Sequence, residues 1–451
     1  MNNFFEIINN ADLIKGDKVN TSQINKMSAA EIIDFAQKAI EFTSLNSLKS
    51  EKSIFSHSSS ISLSGGIFPC KNIDCRSKNV GELAQFAALY SDRIFIRNYF
   101  ADYLSHGFDN ENETIKRRFA DDLTLFLYLQ PLILNGNIVP VTPPQNYCTH
   151  CLIERSLGEA ADSRLERAEK KLIERYNKDV EYKVSMRDGK IELTVKGPKN
   201  LISHTTHYYL RQIPELIKKS SSLMNRLNSG SEVILSKGMV REIESDEMLA
   251  SDTLSNIAFD LSTSQCLGTS FLTERIIDIQ TLREITGDNE IERRNQIIQK
   301  HLTCLVPAFE GVTPTDLLTL RYNEEDSFIV FRGALNKTID EYMKNKKDFS
   351  EQDARAIYSD IIHPQLSKLN IAVKNTKINS LKKYSAKLLS WGGAISFGLY
   401  GGFLPSELVA AATALGLVPL MAELANDIMS LSDSEKEIRK EDFYFLWKAT
   451  R

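Results

Sequence analysis

The sequence predicts an α+β protein that is mainly helical, in which a small N-terminal α/β domain precedes a large helical C-terminal domain. Two observations predict this class: a helix followed by a short apolar strand occurs twice before residue 142, and helical patterns dominate from about Leu201 onward. At 451 residues the chain exceeds the roughly 250–300 residues at which single cores stop growing. The predicted segments are an N-terminal helical segment over 1–50, the small α/β domain over 51–156, a charged helix with a β-hairpin and connecting helices over 157–245, and a helical domain over 246–451.

Local signals predict the elements of the first half. Ser28 and Glu31 form a capping-box pattern ahead of a helical apolar stripe. Ile61 and Leu63 alternate with serines, which predicts a short strand that ends at Gly65-Gly66. The second of two predicted helices should end before Pro131, because a proline disfavours helical backbone in the residue before it. The two helix–strand units are predicted at residues 83–90 with 93–97, and 112–129 with 138–141.

Two further signals locate elements in the rest of the chain. Asp188-Gly189 lies between two alternating arms and predicts a hairpin over 180–195, because both residues accept the positive φ of a type I′ turn. Thr313, Pro314 and Asp316 form a strong helix start, with a capping threonine, an early proline and an acid in the first turn.

Composition and charge exclude several classes of protein. The 55 basic residues are balanced by 59 acidic ones, so the net charge of −4 does not indicate a nucleic-acid footprint. The first residues lack the basic and apolar regions of a signal peptide, and six cysteines are too sparse for a disulfide framework. The sequence therefore predicts a cytoplasmic location.

Two cysteine pairs predict a structural zinc site. Cys70 and Cys75 are five positions apart, and Cys148 and Cys151 are three apart. Each short pair can supply two thiolates, and four complete a closed tetrahedral site that ties two loops of the small domain together. His150 is a substitute ligand. Two alternatives stay open: unrelated thiols in a reducing compartment, or a redox pair formed by the second two cysteines alone.

The other candidate residues carry weaker signals. His204 and His207 would share a helix face, but no neighbouring acid completes a metal motif. Asp122 lies four residues after Arg118, which predicts an ordinary solvated ion pair. No phosphate-loop, dinucleotide or nucleophile-elbow motif occurs in the sequence. The acids that would form a carboxylate cluster, if the helices bring them together, are Asp260, Asp278 and Glu284.

An apolar, Gly-rich stretch over residues 388–422 predicts a helical hairpin. It contains two uncharged runs, of 19 and 15 residues. A membrane span requires roughly 20 residues, so the first run is marginal and the second is too short. The hairpin is therefore expected to pack inside a helical domain or to mediate self-association. The alternative is a hairpin that inserts into membranes under some conditions, which would make the protein peripheral to the membrane.

These observations predict an interaction or effector protein of the cytoplasm rather than an enzyme with a known motif, in a stress or antiviral-defence context. Its expected partner is another protein or a second copy of the chain, with membrane contact through 388–422. The alternative is a metal-dependent hydrolase acting on nucleic acid or nucleotides, whose carboxylate or histidine cluster would form only in three dimensions. Whether the chain is an enzyme stays open, and so does the question of a small-molecule ligand.

Overall fold

The chain has a mixed α and β fold in which helices predominate. A computed structural model describes residues 2–16, 18–41, 56–89, 91–104, 112–142, 148–157, 162–187, 190–198, 201–202, 208–212, 221–273, 275–286, 307–308, 313–343 and 396–397. The chain divides into two compact units, one made of residues 1–84 and 91–296 and the other of residues 85–90 and 297–451.

The described strands are mostly short. They are β1 (Ile14–Lys15), β2 (Lys18–Val19), β3 (Ser56–Ser59), β4 (Arg93–Arg97), β5 (Ile138–Val141), β6 (Glu181–Arg187), β7 (Lys190–Lys196), β8 (Tyr208–Gln212), β9 (Val233–Ile234), β10 (Ser270–Leu272), β11 (Pro307–Ala308) and β12 (Ser396–Phe397).

The described helices range from one turn to six turns. They are α1 (Asn2–Asn10), α2 (Thr21–Ile24), α3 (Ala29–Glu41), α4 (Ile73–Leu89), the 3₁₀ helix η1 (Tyr99–Leu104), α5 (Asn112–Leu134), α6 (Thr149–Leu157), α7 (Asp162–Asp179), α8 (Ser221–Asn228), α9 (Lys237–Glu242), α10 (Ser245–Leu267), α11 (Ile276–Thr286), α12 (Pro314–Asn323) and α13 (Glu325–Met343).

A four-stranded parallel sheet organises the first unit. Its strand order is β5-β4-β3-β10, and every neighbouring pair is parallel. The chain passes from β3 through α4 to β4, and from β4 through α5 to β5, so each parallel connection contains a helix. The fourth strand then joins the opposite side of β3 through residues 270–272, after more than a hundred intervening residues.

A second sheet in the same unit is antiparallel, in the order β8-β7-β6-β9. The predicted hairpin is confirmed: β6 and β7 pair along their whole length, from Glu181 opposite Lys196 to Arg187 opposite Lys190. The turn itself, residues 188–189, lies outside the described residues. Apolar residues on one face of this sheet join α7 and α10 in one core, which includes Tyr176, Val184 and Leu193.

Aromatic rings fill the core between α3, η1 and α5. Phe35 on α3 meets the rings of Phe100 and Phe119 edge to face, with centroids 5.6 and 5.2 Å away. Tyr99 packs in the same way against Phe126, with centroids 4.9 Å apart. Such pairs contribute roughly 0.5–1.5 kcal/mol beyond their buried area, so this core holds η1 rigidly beside the carboxyl end of β4.

Several predicted elements are confirmed and others are corrected. The capping box at Ser28 and Glu31 is present, and strands β4 and β5 have their predicted bounds. The strand predicted at residues 61–63 is wrong, because β3 lies at 56–59 and a turn follows it. Helix α4 begins ten residues before its predicted start. Its first turns bury polar residues, so they show no apolar stripe in the sequence. Helix α5 continues through Pro131, because the residues around the proline pack in the core.

The helical prediction after residue 201 is also incomplete. Residues 208–212 form β8, which pairs with β7 and extends the antiparallel sheet. An exposed edge of β7 would otherwise carry unpaired backbone groups, and this pairing satisfies them.

The described part of the second unit consists of the end of α4, the pair β11 and β12, and helices α12 and α13. The predicted capping box is confirmed: the Thr313 hydroxyl accepts from the Asp316 amide at 3.2 Å, and the Asp316 carboxylate reaches back to the Thr313 amide. The Arg321 guanidinium donates to the carbonyls of Ala87 and Ala88, which satisfies acceptors at the end of α4.

The predicted apolar hairpin over 388–422 lies outside the described residues, except for Ser396 and Phe397. These two residues form β12 and pair with β11, where a helix was expected. Among the helices that the structure describes, none combines the length and the apolarity that crossing a bilayer requires. Whether the hairpin packs, self-associates or inserts stays a prediction.

Candidate functional site

The order of the parallel sheet reverses at β3, which lies between β4 on one side and β10 on the other. The carboxyl ends of β3 and β10 are adjacent, because the Ser60 amide donates to the Leu272 carbonyl at 2.7 Å. In open α/β sheets the loops separate at such a reversal, and ligands bind outside the carboxyl ends of the strands there. The loops that follow β3 and β10 therefore define the candidate site.

The loop after β3 is a tight, buried turn made of serine and glycine. The Ser60 carbonyl accepts from the Ser64 amide at 3.0 Å and from the Ser64 hydroxyl at 2.6 Å. The Gly66 amide closes the turn on the Ile61 carbonyl at 2.7 Å. Gly65 has a left-handed φ of +86°, and a Cβ there would overlap the Val80 side chain, so only glycine fits.

Side chains from α10, α4 and η1 hold this loop from three directions. Asp260 on α10 accepts from the Ile61 amide at 3.1 Å. Asn79 on α4 donates to the Ser62 carbonyl at 3.0 Å, and Tyr99 donates to the Ser64 carbonyl. Within the described residues the carbonyl oxygen of the Asn79 side chain accepts no hydrogen bond, although the residue is only 5% exposed. A buried acceptor of this kind is uncommon in folded proteins.

A buried charge network lies directly behind the loop. Arg76 at the start of α4 donates from Nε to the Gly65 carbonyl at 2.6 Å and also pairs with the Asp122 carboxylate. Asp122 accepts a hydrogen bond from the Tyr103 hydroxyl at 2.8 Å, and Arg118 Nε lies 3.5 Å from its carboxylate. The side chains of Arg76 and Asp122 are 3% and 0% exposed. The solvated ion pair predicted for Asp122 and Arg118 is therefore wrong, because the carboxylate is buried and has a second cationic partner.

The network continues from Arg118 to Asp102 and Arg97. Asp102 accepts from Arg97 at 2.9 Å and from Arg118 at 2.8 Å, one guanidinium on each carboxylate oxygen. Burial by itself raises the pKa of Asp102, but the two guanidinium groups outweigh burial and hold that pKa below its usual range. Burial also raises the pKa of Tyr103 well above its usual value, so its hydroxyl stays a donor.

The loop after β10 brings a second buried cation to the same edge. Arg275 lies over the ring of Phe68, which belongs to the loop after β3, with 4.8 Å from its guanidinium carbon to the ring centroid. Its guanidinium donates to the Tyr176 hydroxyl at 3.1 Å and lies 3.4 Å from Asp278. Burial raises the pKa of Asp278, despite the nearby Arg275 and a hydrogen bond from Thr273. The two loops are thus linked by a cation–π contact.

Together these contacts build a buried, polar edge at the strand-order reversal. It contains serine hydroxyls, the Phe68 ring and the Asn79 amide oxygen, which accepts no hydrogen bond from the residues that the structure describes. No family model, no curated protein and no solved structure gives a significant match to this chain.

The four predicted zinc ligands are all placed in the first unit. Cys148 and Cys151 are brought together, with their sulfur atoms 3.0 Å apart. Cys75 contacts Cys70, and burial together with that neighbour raises the pKa of Cys75 to about 12. In the part of the chain that the structure describes, no group of three or more His, Cys, Asp or Glu side chains is arranged to hold a metal ion. The four-cysteine zinc site stays a prediction.

The predicted carboxylate cluster has its members in separate environments. Asp260 contacts the loop after β3, Asp278 pairs with Arg275, and Glu284 pairs with Lys171 at 2.6 Å on the surface. The histidines at 204 and 207 lie outside the described residues.

Several features of this site were not predicted from the sequence, among them Arg76, Asn79 and the burial of Asp122. Arg76 and Asp122 are 46 residues apart, so no local pattern joins them. The sequence did contain one sign of a buried helix face here. One face of α4 carries Arg76, Asn79 and Val80 at helical spacing. A mixed polar and apolar buried face is not distinguished from a solvated one by sequence alone.

Proposed function

We propose that the chain is a ligand-recognising interaction or effector protein whose first unit binds a nucleoside or nucleotide at the carboxyl edge between β3 and β10. The observation that carries the proposal is the reversal of strand order at β3. Sheets of this architecture host many different chemistries, so the ligand class is inferred from the side chains in the two loops.

Those side chains favour a ligand rich in hydroxyl and amino groups. The Asn79 carbonyl oxygen is a buried acceptor beside a loop of serines, and it suits a ribose hydroxyl or an exocyclic amino group of a base. The ring of Phe68 is 6% exposed and lies beneath Arg275, so it helps to hold the two loops together at this edge. Charge pairs hold the loops in place, which supports binding because a preorganised site loses less entropy when its ligand binds.

The remaining architecture is part of the same proposal. We further propose that the C-terminal region is mainly helical and that residues 388–422, which include β12, serve self-association or membrane contact. The described residues contain no feature that favours the alternative of a metal-dependent hydrolase, and that alternative stays a prediction.

The test titrates the full chain with adenosine, ATP, GTP and NAD. Calorimetry measures the binding, and thermal unfolding measures the stabilisation by each ligand. At least one of these ligands should bind with a stoichiometry of one per chain. At one hundred times its Kd, such a ligand stabilises the protein by about 2.7 kcal/mol. Absence of saturable binding for all four would remove the proposal.

A matched pair of variants ties the binding to this edge. Asn79→Ala removes the buried amide and should weaken binding roughly tenfold or more, because a buried hydrogen bond contributes about 1–3 kcal/mol when its partner is left unsatisfied. Asn137→Ala removes another buried amide just before β5, at the amino end of the sheet, and should leave affinity unchanged. Equal losses in both variants would mean a general effect on folding and no site between β3 and β10.

Membrane contact needs a separate experiment. Flotation of the full chain with anionic liposomes is compared with flotation of a chain lacking residues 388–422. Recovery of the full chain with the liposomes, lost on deletion, supports the membrane proposal, and equal recovery of both in the bottom fraction contradicts it.

A further inference from the structure

Cys148 and Cys151 occupy special positions at the start of α6. The Leu152 amide donates to the Cys148 carbonyl at 3.0 Å, so Cys148 is the N-cap residue and Cys151 is the third residue of the helix. The Cys151 amide donates to the Cys148 sulfur at 3.3 Å, which is the bond that a capping side chain normally accepts. Both cysteines are exposed.

The distance between the two sulfurs separates two kinds of chemistry. A disulfide has a sulfur–sulfur length of about 2.05 Å. Two thiolates on one tetrahedral zinc ion lie roughly 3.8 Å apart, given a zinc–sulfur bond of about 2.3 Å. The observed 3.0 Å is shorter than the zinc spacing and reaches bonding distance with about 1 Å of movement.

The rest of α6 holds this turn in place. Leu152 and Ile153 are 1% and 0% exposed and belong to the core that α7 and α10 share. The helix is therefore anchored directly after the second cysteine, while both cysteines are exposed. Because both sulfurs lie on one turn, closing a bond between them costs little loop entropy and needs no unfolding.

We propose that Cys148 and Cys151 form a reversible thiol–disulfide site that exchanges with a small disulfide such as oxidised glutathione. The Cys148 thiolate attacks one sulfur of glutathione disulfide, whose S–S bond breaks and releases one glutathione thiolate. Cys151 loses its proton to water and attacks the Cys148 sulfur, which forms the new S–S bond and expels the second glutathione thiolate. The protein gives up two electrons and two protons, and one glutathione disulfide becomes two thiols.

The test uses the full chain, equilibrated with defined ratios of reduced to oxidised glutathione and then trapped with iodoacetamide. Peptide mass spectrometry should find a bond between Cys148 and Cys151 that forms as the oxidised fraction rises and opens with excess reduced glutathione. Cys70 is buried and burial raises the pKa of Cys75, so this pair is the internal control and should stay in the thiol form throughout.

Two variants separate the chemistry from folding. Cys151→Ser should accumulate one glutathione on Cys148, because the mixed disulfide has no second thiol to resolve it. Cys148→Ser keeps a side-chain oxygen that can cap α6, so it should fold with unchanged thermal stability while losing the internal bond. Thiols at 148 and 151 that never close overturn the proposal. So does one zinc ion per chain that protects both thiols until a chelator is added, and that result would support the predicted zinc site instead.

Discussion

Replacing Asp122 by Asn should destabilise the first unit strongly. The carboxylate is fully buried, and the substitution leaves Arg76 without an acidic partner, whereas Arg118 keeps Asp102. Removing one member of a buried pair typically costs 3–5 kcal/mol, because the other charge stays buried and uncompensated. That loss is a large part of the roughly 5–15 kcal/mol by which native proteins are stable.

The assay must report on the first unit. Both tryptophans, Trp391 and Trp447, belong to the other unit, so tryptophan fluorescence would follow the wrong part of the chain. Hydrogen exchange of peptides from α5, measured at increasing urea concentrations, reports the unfolding of the helix that carries Asp122. The midpoint for these peptides should fall well below that of wild type.

Two controls make the result interpretable. Asp34→Ala breaks the 2.8 Å ion pair with Lys38. Both side chains of that pair are more than half exposed, so its loss should cost about 0.5 kcal/mol or less. The double variant Arg76→Met with Asp122→Leu removes both buried charges and should cost less than Asp122→Asn alone. A cost below about 1 kcal/mol for Asp122→Asn, or an equal cost for the double variant, would refute the reasoning.

Three more predictions concern other parts of the fold. Gly65→Ala should lower the free energy of unfolding by about 1–2 kcal/mol because of its left-handed backbone, and by roughly 1–3 kcal/mol more because the new Cβ overlaps Val80. Gly136 has a φ of +82° and open space around it, so Gly136→Ala should cost only the backbone amount of about 1–2 kcal/mol. Urea unfolding compares the two variants, and equal costs would contradict the predicted overlap. The lowered pKa of Asp102 adds stability that is present above about pH 4, the usual pKa of an unfolded aspartate, and is lost as pH falls through the lower folded pKa. Between pH 2 and 6, the free energy of unfolding should therefore fall less steeply with decreasing pH in Asp102→Asn than in wild type. Identical slopes for the two proteins would refute this. Thr313→Ala removes a confirmed helix cap and should lower the stability of α12 by about 1 kcal/mol, seen as faster hydrogen exchange in its first turn. Unchanged exchange would show that the cap does not stabilise the helix.

Sequence patterns predicted the elements whose signal is local. Strands β4 and β5 are short apolar runs, the β6–β7 hairpin alternates around a turn pair, and the helix start at Thr313 shows its cap directly. The first strand of the parallel sheet was misplaced, because β3 consists of three serines and His57 and carries no apolar pattern. Its burial follows from having strands on both sides, and one of those strands lies more than two hundred residues away.

The candidate site was predicted even less completely, for the same physical reason. The contact between Cys148 and Cys151 lies within one helical turn, and their spacing alone indicated it. The pairs that hold the ligand loops join residues distant in sequence, such as Arg76 with Asp122, and Phe68 with Arg275. The sequence shows which groups are able to pair. Which of the many possible partners they meet depends on how the helices and strands pack around the sheet.

The late arrival of β10 has a consequence for synthesis on the ribosome. The partner of β3 on its outer side is made about 210 residues later, which at roughly 5–20 residues per second leaves that edge open for about 10 to 40 seconds. An open apolar edge would invite pairing with a neighbouring nascent chain. The serines of β3 give this edge little apolar surface, so the unfinished sheet should aggregate less readily than one with an apolar strand at that edge.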